Sequence, residues 1–438
     1  MKIKSIHRFR RGIFLVVWLL GMLGTAAAGD VAITNATLVT VTGGTVENGT
    51  LLIQGDRITA LGTDVDVPPG VEVIDARGLC VYPGMIDATT SLGLYEVGAV
   101  RATVDASEMG TYNPHIEAAV AINPHSVHIP ISRVNGITSA LVVPGGAVIS
   151  GQSALINLNG WTPEEMVVKA PVGIHIQFPR LPRQDDESGQ RPLSQKKKDT
   201  KERTEKEIKA LMDVFKKAKR YAATWEAYMK SMKPPAPAKD LMLEALVPVV
   251  NRELPVIVSV QMERDIKNAV DFVDTLNIKA IFHGVTEGWK VAPLLSKKSI
   301  PVLVGPVMVS PGPEDPYDAI YANAGVLHKA GVKIAFVTES APDVRSLPYH
   351  AGMAAAFGLP REQALKAVTI YPAEIFGVAD KLGSLEVGKL ANVIVTDGDP
   401  LEMRTQIKHV FIAGQKIPMT SKHKALYETF RKRPAAKE

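Results

Sequence analysis

Eight short, almost uninterrupted apolar runs along the middle of the chain constrain its fold more than any other feature. They are VYPGMID (81–87), ITSALVVP (137–144), SALINL (153–158), PVGIHIQF (171–178), PVIVSV (255–260), KAIFHG (279–284), PVLVGPV (301–307) and VKIAFVTES (332–340). Most are separated by stretches of helical periodicity. A strand covered on both faces is apolar at every position rather than at alternate ones. Such strands alternating with helices predict a parallel sheet under a helical layer. Eight units predict a closed (β/α)8 TIM barrel over residues 83–380. Between the second and third runs a glycine-rich segment, PGGAVISGQS (144–153), replaces a helix. It lacks the Gly-Lys-Ser/Thr ending of a phosphate loop, so a loop beside the barrel mouth is expected there.

The two ends of the chain share a different texture. Residues 29–82 alternate apolar and polar positions, and TLLIQGDRITALG (50–62) reads as a hairpin turning at Gly55-Asp56. The same style returns in KLGSLEVGKLANVIVTDGDP (381–400) and IKHVFIAGQKI (407–417). These segments predict one small β-sandwich, built from residues 29–82 and 381–420, into which the barrel is inserted. Within the barrel, residues 184–240 form an insertion. Its first part, 184–207, is charged and is expected to be a flexible link. Ile208, Leu211, Met212, Phe215, Ala218, Trp225, Met229 and Met232 then recur at helical spacing, which predicts a long helix with one face on the barrel exterior.

The amino terminus carries Lys2, Lys4, Arg8, Arg10 and Arg11, then the apolar run GIFLVVWLLGML (12–23) and Ala26-Ala27-Ala28. This order of basic, apolar and small residues predicts a signal peptide over 1–28 and a periplasmic or secreted protein. An uncleaved anchor is the alternative, although the run falls short of the roughly 20 residues a span needs. Residues 1–28 hold five basic residues and no acidic one, so removing them takes the net charge of +5 to zero. No nucleic-acid partner is expected from such a balance, nor a stable membrane association after cleavage. The tail, 421–438, keeps six Lys or Arg against two Glu and is expected to be a solvated end. The single cysteine, Cys80, excludes an intramolecular disulfide and lies in an apolar context.

Barrel enzymes place their chemistry where the strands end, and residues of one parity share a strand face. Asp87, Thr89 and Ser91 fall together; so do Gly173, His175 and Gln177, and Ser259 and Gln261. His283 follows Ile281, and Glu339 follows Ala335 and Val337. The expected mouth therefore gathers Thr89, Ser91, His175, Gln177, Ser259, Gln261, His283 and Glu339, with Asp87 in a structural role. The tripeptide NPH at 113–115 and 123–125, with His128, is better read as turn and cap chemistry than as a ligand cluster.

With PGMID at 83–87, ALVPVVNRELPVIV at 245–258, HGVTEGWKVAPLL at 283–295 and AVTIYPAEIFGVADKLGSLEVGKLANVIVTDGDPL at 367–401, the chain resembles the amidohydrolase superfamily, within it the imidazolonepropionase-like group. The resemblance covers nearly all the chain after residue 28. It implies hydrolysis of non-peptide carbon–nitrogen bonds in a small amide or cyclic amide. One or two divalent metals would lower the pKa of a bound water from about 15.7 to about 7. The family's metal ligands carry over poorly. Its two strand-one histidines fall on Thr89 and Ser91, and its strand-five histidine falls on Ser259. The strand-six histidine is kept as His283, and the strand-eight aspartate becomes Glu339. Lys169 precedes strand four, so no lysine stands at its mouth, where His175 faces inward instead.

Three readings stay open, one of them a metal-independent hydrolase with Glu339 and His283 as a base–acid pair. His175, His283 and Glu339 would supply a set for one divalent ion, zinc first, with Glu339 as base and His283 as ligand or carbonyl polariser. Alternatively no metal binds, and the same residues join Thr89, Ser91, Gln177, Ser259 and Gln261 around a small-molecule substrate. A chain of this last kind would be a metal-free binding protein, or a partner subunit of an active relative in a hetero-complex or homo-oligomer. The processed protein is expected to begin near Gly29; amino-terminal sequencing that returned Met1 from the exported protein would overturn the cleavage.

Overall fold

Every one of the eight apolar runs contributes a strand to the computed structural model, which describes residues 29–180, 193–232, 234–312 and 315–433. The expected signal peptide, part of the charged link (181–192) and the last five residues of the tail lie outside the described residues. The strands of the middle region are β1 (Met85–Thr90), β2 (Ile137–Val142), β3 (Ile149–Gln152), β4 (Ala154–Asn157), β5 (Ile174–Gln177), β6 (Val256–Val260), β7 (Ala280–Gly284), β8 (Val302–Val304) and β9 (Ile334–Phe336). They lie in two sheets. One runs β1, β2, β4 and then Val167–Lys169; the other runs β3, β5, β6, β7, β8, β9.

Strands β5 to β9 are parallel throughout. The third apolar run departs from the expected pattern: β4 pairs antiparallel with β2, and β3 pairs antiparallel with β5. The cause is the connection. A parallel crossover needs a dozen or more residues, usually a helix, and 143–153 is too short and is itself half strand. The expected loop at 144–153 thus contains β3. Backbone hydrogen bonds continue beyond the strand ends at two places. Ser153, between β3 and β4, donates its N–H to Gly173 O (3.0 Å) and accepts from Val172 N–H (3.0 Å). On the other side Glu339 donates to Thr89 O (2.9 Å), and its own carbonyl accepts from Ser91 N–H (3.0 Å).

Apolar residues of both parities are buried, because the strands are covered on both faces. Ile257, Ile281, Leu303, Ala335 and Val337 pack into one cluster. Their neighbours Val256, Val258, Phe282, Val302 and Phe336 pack into another with the helices. Helix α1 (Leu193–Ser231) begins earlier than the sequence suggests, so much of the expected flexible link is helical. It is held by Leu211, Phe215 and Ala218, all buried. Phe215 and Phe178 meet Phe272 of α2 (Glu263–Leu276) edge-on, with centroids 5.6 and 5.7 Å apart. Beyond Ala218 the helix leaves the core, and Met229 and Met232 are each 62% exposed.

Both chain ends meet in a single eight-stranded sheet. Cys80–Pro83 pairs on one side with Val31–Val39 and on the other, antiparallel, with Val393–Thr396. Cys80 is half-buried and free, and burial raises its thiol pKa. Residues 422–431 of the tail form a helix, α3 (Lys422–Arg431), with none of its residues buried, as a solvated end requires. Among the described residues no helix is long and apolar enough to cross a membrane.

One side chain joins the terminal sheet to the middle region. Asn392 is 5% exposed and donates from Nδ2 to Ser139 Oγ (3.1 Å) and Asn157 Oδ1 (2.8 Å); its Oδ1 accepts from Ala413 N–H (2.8 Å). Asn392→Ala would leave these buried groups unpaired and is expected to cost about 3 kcal/mol, read as a lower urea midpoint at unchanged slope.

Candidate functional site

Where β5 to β9 end, the chain encloses a cavity of about 600 Å³. Its wall includes Gln177, Ser259, Gln261 and Glu339, four of the residues expected at the mouth. Arg180, Thr286 and Asp315 also line it. Sequence reasoning did not select these three. The first two follow β5 and β7 directly, which is the one signal that could have found them. A larger cavity, about 840 Å³, opens where the strands begin. Lys169 lies there and donates to Phe376 O (2.7 Å). Lys298–Asp274 and Lys333–Glu374 are paired beside it, so its charges serve the packing of that end.

His283 and Ser259 occupy paired positions on β7 and β6. Ser259 Oγ and His283 Nδ1 share a hydrogen bond of 2.9 Å. The opposite ring nitrogen, Nε2, is buried without a hydrogen-bond partner and lies 3.5 Å from Glu339 Oε1. His175 on β5 is 5% exposed and likewise leaves Nε2 unpartnered. Burial lowers the pKa of His283 to about 4. Burial, with a contribution from His283, lowers that of His175 to about 3. Burial thus favours the neutral form of both rings, and each has one buried nitrogen without a hydrogen-bond partner. Gln261 Oε1 accepts from the Thr286 hydroxyl (2.5 Å). That side chain fits because residue 284 is glycine: a Cβ there would lie 2.1 Å from Gln261 Nε2, and φ is +88°.

Glu339 stands at the cavity rim with 42% of its side chain accessible, and burial of the remainder raises its carboxyl pKa. Its backbone is left-handed, φ +65°. A glutamate in that region is strained by about 1–3 kcal/mol, and such residues cluster at functional sites. The strain is held by the two hydrogen bonds to β1 described above. Beneath them sits Asp87, fully buried, whose Oδ1 accepts from the N–H groups of Thr89 (3.2 Å) and Thr338 (3.2 Å). The Thr338 hydroxyl donates to its other oxygen. Burial raises the Asp87 pKa to about 7 against these hydrogen bonds.

Strand-one parity does not carry to the site. Ile86 and Ala88, rather than Asp87 and Thr89, join the cluster of Ile257 and Val337. The register of β1 against β2 slips between Met85 and Ile86 and again between Asp87 and Thr90, so simple alternation fails. The Thr89 hydroxyl donates to Ala88 O (2.5 Å), and Ser91 Oγ accepts from Ala341 N–H (3.2 Å). Neither residue lines the cavity. Nor does the expected set of His175, His283 and Glu339 converge: among the described residues no three His, Cys, Asp or Glu side chains lie close enough together to hold a metal ion. The NPH segments behave as turns, with Asn123 Oδ1 accepting from His125 N–H (3.0 Å).

These groups give pH effects of opposite sign. His283 titrates near 6.5 when unfolded and near 4 when folded. The unfolded state therefore binds more protons between those values, and stability falls as pH drops from about 6.5 to about 4. Asp87 goes the other way, from 3.8 unfolded to about 7 folded, and its contribution is lost as pH rises through about 7. In urea titrations His283→Gln should flatten the acid dependence by about 1.4 kcal/mol per pH unit, and Asp87→Asn should steepen it by as much.

A model of the amidohydrolase family matches residues 319–417. N-acyl-D-aspartate deacylase of Alcaligenes xylosoxydans xylosoxydans is 50% identical over 64 residues, 15% of this chain and 13% of that protein. Amidohydrolase tasK of Hapsidospora irregularis is 23% identical over 411 residues, 84% of this chain and 39% of that protein. The chain thus spans well under half the length of these curated relatives. A solved amidohydrolase from Thermotoga maritima MSB8 superposes with a TM-score of 0.77 at 26% identity, over 89% of this chain and 99% of that one. Residues 319–417 thus match the amidohydrolase family, and nearly the whole chain shares the fold of a solved amidohydrolase.

Proposed function

We propose that this protein hydrolyses a carbon–nitrogen bond in a small amide or cyclic amide, within a (β/α)8 barrel formed by the two bonded sheets. Support for the barrel comes from the hydrogen bonds of Glu339 with Thr89 and Ser91, which join the two sheets at one margin. The observation that carries the activity is a pair of which Glu339 lines the cavity and His283 lies behind its wall: His283 Nε2, buried and otherwise unpartnered, is 3.5 Å from Glu339 Oε1.

Superfamily members typically bind divalent metals at this end of the fold. The residues here do not fit such a centre. Thr89 and Ser91 hydroxyls are engaged with backbone, Ser259 holds His283, and the three remaining ligand-type side chains do not converge. No step is therefore assigned to a metal. Glu339, raised above the ordinary glutamate range, takes a proton from water, and the water oxygen attacks the amide carbon. With the Ser259 hydroxyl donating to Nδ1, His283 carries its proton on Nε2 and donates to the carbonyl oxygen as charge gathers there. Glu339, now protonated, delivers the proton to the leaving nitrogen as the carbon–nitrogen bond breaks. The products are a carboxylic acid and an amine. Gln177 and Gln261 supply amide groups to orient the substrate.

Glu339→Gln is expected to lower kcat on a panel of small amides and cyclic amides by about 10²–10⁴-fold. Metal analysis after supplementation is expected to find less than about a tenth of an equivalent of zinc, iron or manganese. One full equivalent, lost in both His175→Ala and His283→Ala, would overturn the metal-free step. Ligand binding without turnover across the panel would leave a binding protein in place of the enzyme.

A further inference from the structure

We propose that helix α3, at the carboxyl end, is a docking surface for an anionic lipid bilayer. The helix is capped by Ser421, whose Oγ accepts from Lys424 N–H (3.3 Å), and none of its residues is buried. Leu426, Tyr427 and Phe430 are 43%, 63% and 64% exposed. Their spacing puts them on one helical face. Around them stand Lys422, Lys424, Arg431, Lys432 and Arg433. Glu428, the single acidic residue in 421–433, is taken by Arg431 at 2.8 Å, and the same guanidinium lies over the Tyr427 ring. The helix is not loose. It packs beside His128–Arg133, and Arg345 reaches His423 Nδ1 at 3.3 Å.

Chemistry selects the occupant. A second copy would bring one cluster of cations against another. Three apolar side chains also fall far short of the roughly 800 Å² per partner that a stable protein interface buries. A short basic helix with aromatic residues on its apolar face instead suits the boundary between headgroups and acyl chains. Each Lys or Arg near an anionic surface contributes about 1 kcal/mol. A helix only about 15 Å long gives a reversible, salt-sensitive contact. That is compatible with the expectation of no stable membrane association.

The test is co-sedimentation of the exported, processed protein with vesicles of phosphatidylglycerol and phosphatidylcholine, and with phosphatidylcholine alone. Binding is expected to the first only, and to be lost in high salt. Phe430→Ser, and separately Lys432→Glu with Arg433→Glu, should each weaken it at least about tenfold, with circular dichroism unchanged. Equal binding to neutral vesicles, or no effect of either variant, would overturn the proposal. So would a dimer in light scattering that Phe430→Ser abolishes, since the occupant would then be a second copy.

Discussion

The site depends on a pair of backbone hydrogen bonds. Glu339 gives its N–H to Thr89 and takes one from Ser91, and by doing so it is fixed at φ +65°. The same pair joins the last strand of one sheet to the first strand of the other. A single residue therefore carries the seam between sheets and the carboxylate at the cavity. Asp87 makes this workable. It collects the N–H groups of Thr89 and Thr338 and the Thr338 hydroxyl directly behind the seam. The buried carboxyl group does locally what a glycine would do elsewhere, since it stabilises an unfavourable turn without giving up the functional side chain.

The electrostatics of these side chains follow from their own burial. Burial favours the neutral form of both imidazoles and raises the carboxyl of Glu339, which lies beside His283. Ser259 matters through its effect on the tautomer of His283: its hydroxyl occupies Nδ1 and leaves Nε2 to face Glu339.

Much of this was legible in the sequence. The continuous apolar runs reported two-sided burial, and all eight became strands. Gln177, Ser259 and Gln261, selected by parity, lie on the cavity wall, whereas His175 and His283, selected in the same way, do not. Parity failed on β1, because a slipped register is set by the neighbouring strand and not by the run itself. The antiparallel turn of β3 and β4 was missed for a related reason. An apolar run is the same whichever way it points, and only the shortness of 143–153 held the clue. Arg180 and Thr286 were missed because they lie in loops, where no periodicity marks a facing.

The eight-stranded sheet made from both ends has a consequence for how the molecule comes to be complete. Cys80–Pro83 is an interior strand only because Val393–Thr396 lies against it. Until the carboxyl-terminal segment arrives, that edge offers unpaired backbone to any passing strand. Closing it joins segments from opposite ends of the described chain, so the step is slow by entropy and late by position. The interval before it is the period when the chain is most exposed to misassociation. Loss of the segment that carries Val393–Thr396 would turn that passing hazard into a permanent one.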